Sequence, residues 1–374
     1  MRKLTLPVVA ALAAAALTAS PAKAQEIVVA TAGPITGQYA SFGEQMKRGA
    51  EMAVADINAA GGVMGKMLKL EVGDDACVPE QARSVAEDLV SKGVVFVAGH
   101  FCSSSSIPAS EVYAENNVLQ ITPASTNPAL TDGAAEKGWM NIFRTAGRDD
   151  AQGLVAGKFL AEQYAGKNVA IIHDKSTYGK GVADETKKAM NAAGLQEVMY
   201  EAINQGDKDF SALVTKMKDA KIDAIYAGLY HTEAGLIIRQ AREQGLQAQM
   251  IGEDAFVTNE FWTISGDAGE GVLMTFAPDP RKFESAKAVV DKFQAQNYDP
   301  EGYTLYTYAA FQVWADAVKQ SGTTDPKTLA GIMRKNAYKT VLGDIKFDSK
   351  GDIVNPVYVF YKWSKGKYEE IPGM

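Results

Sequence analysis

Val94-Val95-Phe96-Val97-Ala98-Gly99-His100-Phe101-Cys102-Ser103-Ser104-Ser105-Ser106 and Asn117-Val118-Leu119-Gln120-Ile121-Thr122-Pro123-Ala124-Ser125-Thr126-Asn127 are two apolar runs, each ending in a small-polar turn. Runs of this kind read as strands buried on both faces of a parallel sheet. In an open α/β sheet a ligand sits beyond the carboxyl ends of such strands. The two turns therefore offer hydroxyls and backbone N–H groups to something small and anionic. A purely structural reading competes: the serines cap the helix that follows, and Thr126-Asn127-Pro128 is an ordinary turn.

Outward from these runs, β-rich and helical segments alternate. Ile27 to Thr31 reads as a strand, and Phe42 to Ala59 as a helix with Ala50, Ala53, Val54 and Ile57 on one stripe, closed by Gly61-Gly62. Leu68 to Gly73 is the next strand, Pro79 to Lys92 a helix, Val94 to Ala98 a strand, and a helix from about Pro108 to Asn116 leads into Val118 to Thr122. The module then recurs. Helices at Asp149 to Tyr164 (apolar stripe Leu154, Phe159, Leu160), Gly181 to Ala193, Phe210 to Ala220 and Glu233 to Gln244 alternate with strands at Asn168 to Ile172, Glu197 to Glu201, Ala224 to Gly228 and Gln249 to Gly252. The expected fold class is α/β, with two Rossmann-like lobes built on mostly parallel sheets.

The remaining elements are too few for a third sheet domain. They are a strand at Gly271 to Phe276, helices at Phe283 to Gln296, Leu305 to Ser321 and Pro326 to Asn336, and a hairpin pairing Leu342 to Phe347 with Val357 to Trp363 around Asp348 to Asp352. They complete the two lobes. Crossings near Arg144 to Arg148, Phe276 to Pro280 and Gly343 to Asp352 make a three-strand hinge. The expected division is 1–24 as a leader, 25–145 with 277–350 as lobe 1, and 146–276 with 351–374 as lobe 2.

The leader has a basic start (Arg2, Lys3), an apolar core from Leu4 to about Thr18, and an Ala22-Lys23-Ala24 cleavage pattern before Gln25. That is a secretory signal, too short for a dependable membrane span. Cleavage leaves 350 residues and takes the formal charge from −7 to −10. Such a balance disfavours nucleic acid or an anionic membrane as a partner. The two cysteines, Cys77 and Cys102, each lie just beyond a strand in a compartment that permits disulfides. A bridge closing their loop contributes roughly 3 kcal/mol. Free buried cysteines are the alternative.

Catalytic and metal signatures are lacking. His100, His173 and His231 lie in separate strand-end segments without ligand spacing, and no nucleophile elbow or phosphate-binding loop occurs. Gly61-Gly62-Val63-Met64-Gly65 ends a helix instead of opening one. No enzyme, metal or cofactor is expected. Ser103, Ala124 and Thr126 could hold a carboxylate, while Tyr178, Tyr230 and Asp254 follow buried strands of the second series. Taken singly, such a tyrosine is packing and such an aspartate a turn cap. An ammonium group in a closed cleft would need a carboxylate such as Asp254 to offset its desolvation.

At these residues the sequence resembles the periplasmic leucine/isoleucine/valine-binding proteins of ABC transporters. The resemblance rests on Gly33-Pro34-Ile35-Thr36-Gly37, Asp56-Ile57-Asn58-Ala59-Ala60-Gly61-Gly62, Asp74-Asp75-Ala76-Cys77, the two turns above, His173-Asp174-Lys175, Lys208-Asp209-Phe210-Ser211 and Arg239-Gln240-Ala241, in order. It implies a type I periplasmic binding protein that closes on its ligand like a clamshell and hands an aliphatic L-amino acid to permease subunits in the inner membrane. It implies an α-carboxylate site at Ser103, Ala124 and Thr126 and an α-ammonium site at Thr126 and Asp254, with the Ala124 carbonyl as another acceptor and Ser125 among the ligand-binding residues. Tyr178 and Tyr230 would meet the ligand on closure, and Phe42 would shape the side-chain end. Two departures stand out: Asp254 replaces a family Glu, and Phe42 lacks the hydroxyl of a frequent Tyr. Relatives with similar lobes bind alanine, proline, aromatic residues or γ-aminobutyrate, so those ligands stay open, as do a sensor role and a secreted enzyme. A monomer is expected.

Overall fold

The computed structural model describes residues 26–374; the expected leader at 1–24 lies outside the described residues. In chain order the first elements are β1 (Ile27–Gly33), α1 (Ala40–Ala59), β2 (Leu68–Asp74), α2 (Pro79–Ser91), β3 (Phe96–Gly99), α3 (Ser103–Glu115), β4 (Leu119–Thr122), α4 (Ala129–Glu136) and β5 (Ile142–Arg144). The second series is α5 (Asp149–Gln163), β6 (Val169–His173), α6 (Thr177–Ala192), β7 (Met199–Ala202), α7 (Ser211–Asp219), β8 (Ala224–Gly228), α8 (His231–Glu243), β9 (Gln249–Gly252), α9 (Asn259–Ser265) and β10 (Leu273–Phe276). After them come α10 (Lys287–Ala295), α11 (Thr304–Ser321), α12 (Pro326–Met333), β11 (Ala337–Thr340), β12 (Gly343–Lys346), β13 (Val359–Ser364) and β14 (Lys367–Glu370).

The module repeats in space as it does in sequence. β2-β1-β3-β4-β5 form one parallel sheet, and β7-β6-β8-β9-β10 have the same order within the second, to which β13 and β14 add an antiparallel edge. Both sheets reverse their strand order at corresponding places, beside β1/β3 and β6/β8, where a ligand crevice forms. Along β1, Ile27 and Val29 enter one core with α1, α10 and α11 while Ala30 and Ala32 enter another with α2 and α3. That alternation is the two-residue period of a strand covered on both faces. A third core fills the second lobe and takes in Phe42, Met46, Phe101 and Ala124 from the first. The lobes are therefore packed against each other. This is the type I periplasmic binding protein fold, two α/β lobes with parallel sheets.

Four expectations differ from the structure. The helix placed from Pro108 begins at Ser103, with the Cys102 carbonyl accepting from Ser105 N and Ser106 N at 2.9 Å each, so Pro108 sits inside it and removes one intrahelical bond. Leu154 is not core: it is 47% exposed, and α5 meets α6 through Gly153 and Gly157, where an added Cβ would come within 2.8 and 2.6 Å of Glu185 and Ala189. The 342–363 hairpin does not form. β12 pairs with β11, β13 pairs with β10 in the other sheet, and only a Phe347–Ile353 bridge remains of the expected ladder. The third passage between the sheets consequently runs from Ile353 to Val359, a little later than Gly343 to Asp352. An open edge at β10 offers the departing strand more hydrogen bonds than a local turn does.

Candidate functional site

The loops at the carboxyl ends of β1, β3 and β4 face those of β6, β8 and β9 across the gap between the lobes. The two halves supply different chemistry. From the first lobe, Ser103 is the first residue of α3, whose leading N–H groups have no intrahelical acceptor. Its position is fixed by the Cys77–Cys102 disulfide, with Cα atoms 5.6 Å apart, and its Oγ accepts from the Asn127 backbone N–H at 3.3 Å. Beneath it, His100 Nδ1 pairs with Asp75 at 2.5 Å and Nε2 meets the Tyr113 hydroxyl at 2.9 Å, so this histidine is wholly buried scaffold.

From the second lobe comes Asp254. Its Oδ1 accepts from the Tyr178 hydroxyl at 2.8 Å, and its Oδ2 accepts a short bond from the Tyr303 hydroxyl. Burial pushes this carboxyl above the ordinary range, and the two tyrosines only partly offset that effect. The tyrosines are themselves buried and held protonated, so both act as donors. Two further acids lie close by. Burial, together with the negative charge of Asp254, pushes Asp149 up to about 8, and the same two causes raise Glu253 well above its usual value. Asp149 Oδ1 and Oδ2 and Glu253 Oε1 are buried without a hydrogen-bond partner among the described residues. The site is thus rich in acid and poor in counter-charge.

Phe101, Ser103, Ala124, Tyr178, Tyr230, Asp254 and Ala255 line one small cavity of about 10 Å³, the room of a single water molecule. A second of about 10 Å³ adjoins it at Asp254 and is lined by Thr126, Gly147, Tyr303, Tyr306 and Tyr358 among others. Among the described residues, no Lys, Arg or His lines either one. Larger hollows of about 340 and 210 Å³ lie elsewhere, by Trp139 and Pro326 and at the interlobe passages. Among the described residues the first has no acid in its lining, and in the second Asp344 stands beside Lys346, so neither presents an acid without a basic neighbour as the small pair does.

Of the residues singled out from sequence, Ser103, Ala124, Thr126, Tyr178, Tyr230 and Asp254 line this pair of cavities. Phe42 stands one layer back, stacked on Phe101 at 4.4 Å and edge-on to Tyr303 at 6.0 Å. The Ser125 hydroxyl points into the scaffold, bonded to Ser106 Oγ at 2.6 Å and to the Phe101 carbonyl at 2.8 Å, and its N–H donates to Thr122 Oγ1 at 2.9 Å, so Ser125 builds the turn instead of facing the cavity. Among the residues sequence reasoning misses are Phe101, which reads there only as part of a turn, and Tyr303, which lies 49 residues beyond Asp254 at the head of α11. The only signal for Tyr303 is its place just before a long apolar helix.

Lobe-to-lobe contacts close the gap. Tyr39 and Tyr230 meet with ring centroids 4.3 Å apart, Asn127 Nδ2 donates to the Thr177 carbonyl at 2.7 Å, and Tyr303 reaches Asp254. Tyr178, Tyr230 and Asp254 are all buried. A solute larger than water enters this space only when the lobes part.

Comparison with known proteins places this geometry. The Periplasmic binding protein family matches residues 26–367. The Leu/Ile/Val-binding protein homolog 1 of Brucella suis is 48% identical over 342 residues, 91% of each chain. The leucine-, isoleucine-, valine-, threonine- and alanine-binding protein of Pseudomonas aeruginosa is 44% identical over 360 residues, 95% of each. Among solved structures, the leucine-binding protein LivK of Thermotoga maritima superposes with a TM-score of 0.84 at 26% identity, covering 92% of this chain and 97% of that one. LivJ of Streptococcus pneumoniae in complex with isoleucine gives 0.83 at 27%, covering 93% and 99%. These are solute-binding proteins of transport systems and not catalysts. With two α/β lobes, a buried acid opposite a helix N-terminus and nearly full-length similarity, the chain belongs to the periplasmic binding protein family, in its branched-chain amino-acid-binding group.

Proposed function

We propose that the protein captures a zwitterionic aliphatic amino acid between its lobes and delivers it to an ABC permease. The observation that carries this reading is Asp254: a buried carboxyl aimed into an interlobe cavity that has no basic side chain in its described walls. Desolvating an acid there is costly unless a cation arrives with the ligand. An α-ammonium group supplies that cation, and the α-carboxylate then falls to Ser103, Ala124 and Thr126 on the opposite lobe. The names of the relatives, which bind leucine, isoleucine, valine, threonine and alanine, support the same class. Residues 25–145 with 277–352 act as one rigid half and 146–276 with 359–374 as the other, joined at the third passage through 353–358. The leader at 1–24 exports the chain to the periplasm, where it works as a monomer.

Within that class the geometry favours a compact side chain. Phe101 forms the cavity wall, and Phe42 stacks on it, so extra methylene groups have little room. Each CH₂ left unaccommodated forfeits roughly 0.8 kcal/mol, about fourfold in affinity. Titration calorimetry with leucine, isoleucine, valine, alanine, threonine, proline, phenylalanine and γ-aminobutyrate is the test. Alanine, valine or proline is expected to bind more tightly than leucine, and Phe101→Ala to move leucine up relative to alanine by at least tenfold. Binding to none of the panel defeats the reading; leucine as the tightest ligand of the unmutated protein defeats the size argument.

A further inference from the structure

Arg144, the last residue of β5, is fully buried in the passage that leaves the first lobe. Its guanidinium is used on every edge. Nη1 donates to the Ser125 carbonyl at 2.8 Å, Nη2 to the Asn127 carbonyl at 3.1 Å and to Thr131 Oγ1 at 2.7 Å, and Nε to Asp352 Oδ1 at 2.5 Å. The intervening Thr126 carbonyl accepts from the Asp149 backbone N–H at 3.0 Å. Three consecutive carbonyls of the 123–128 turn are thus held by two residues of one passage.

The consequence follows from the planar trans peptide. In each unit the N–H points opposite to the C=O. Drawing the Ser125 carbonyl to the guanidinium turns the Thr126 N–H away from it, and drawing the Thr126 carbonyl to Asp149 turns the Asn127 N–H outward. That N–H is the one that meets Ser103 Oγ. The other end of the clamp is also fixed. Asp352, 2% exposed at the start of the third passage, accepts on Oδ2 from Thr131 at 3.0 Å and from Arg148 Nη1 at 2.8 Å. The Arg144 N–H donates to the Gly351 carbonyl at 3.0 Å.

We infer that Arg144 is a positioning residue: its planar fork orients the 123–128 turn toward the ligand's carboxylate and, through Asp352, ties that turn to two of the three passages between the lobes. The inference rests on the amino-acid reading above for the identity of the ligand. A lysine carries the same charge, but its three donors radiate from a single nitrogen and cannot reproduce the planar fork that reaches four separate acceptors here.

The experiment uses the full chain and the Arg144→Lys variant. Backbone amide exchange without amino acid is followed in residues 123–128 and, as a reference in the same sheet, in Phe96–Gly99, and affinity is measured by calorimetry for the best ligand of the panel. Expected are at least tenfold faster exchange in 123–128, less than twofold change in Phe96–Gly99, and at least tenfold weaker binding. Equal acceleration in both segments reveals a general structural role and overturns the inference, as does unchanged affinity in a folded variant. Should R144K fail to fold, Asp352→Asn, which releases the far end of the fork, is read by the same contrast. An unmutated protein that binds no amino acid refutes the ligand reading, while the exchange contrast still decides the role of Arg144 in the turn.

Discussion

Asp254 has both oxygens engaged by tyrosine hydroxyls, one from each lobe, since Tyr178 belongs to the second and Tyr303 leads a helix packed in the first. The bond to Tyr303 is therefore a closure contact as well as a local one. On the proposed reading, an arriving ammonium would share the acid with these donors and remove the penalty that raises its protonation range. The substitution Asp254→Asn keeps the shape of the side chain and deletes its charge. Loss of a buried partner costs about 3–5 kcal/mol, so calorimetry is expected to show affinity reduced by roughly two to four orders of magnitude. The pH dependence has a definite sign. Binding needs the ionised carboxyl, and its raised pKa means that protonation sets in above the ordinary carboxylate range as pH falls. Affinity is expected to weaken as pH falls toward and through the ordinary carboxylate range in the unmutated protein, and this slope to flatten in D254N, where the raised Asp149 still titrates.

At the scale of elements, α3, α5 and α8 begin at the cleft, so donors and acids are delivered by helix starts at the strand ends. Asp149 opens α5, and its carboxyl is pushed up to about 8 by burial first and by Asp254 second. A carboxyl raised in the fold favours the folded state when protonated. Stability is therefore greatest below the unfolded value near 4 and falls as pH rises toward 8. Asp149→Asn is expected to remove that decline, so the variant's melting temperature exceeds the unmutated protein's by more at pH 8 than at pH 5. A constant difference would contradict the assignment. The alternation of buried runs with amphipathic helices makes most of the elements legible in the sequence, because strand and helix periods are local properties, while the short α4, β5, α9, β11 and β14 carry too few residues to show a period. What is not local escapes it: the partner of Val359–Ser364 lies in another sheet, and Tyr303 meets Asp254 only through the fold. The glycine face of α5 is hidden for a related reason, since close helix packing there replaces an apolar stripe.

The whole molecule joins two copies of one strand order through three passages, at 144–149, 276–280 and 353–359, and the ion pairs of Arg144, Arg148, Asp132 and Asp352 connect the first passage to the third. Three passages restrict the lobes to bending. The cavities between them hold only about 10 Å³ each, so opening precedes entry of a solute, and on the proposed reading closure would then bury both of its ends in opposed fields. On the proposed reading, the start of α3 in one half meets the ligand's anion and Asp254 in the other half meets its cation. The most direct measurement is a crystal structure of the chain with the amino acid it binds most tightly. The account predicts the carboxylate within hydrogen-bond reach of Ser103 and Thr126 and the ammonium against Asp254; a ligand seated outside the interlobe gap, or with its ammonium remote from Asp254, would contradict it.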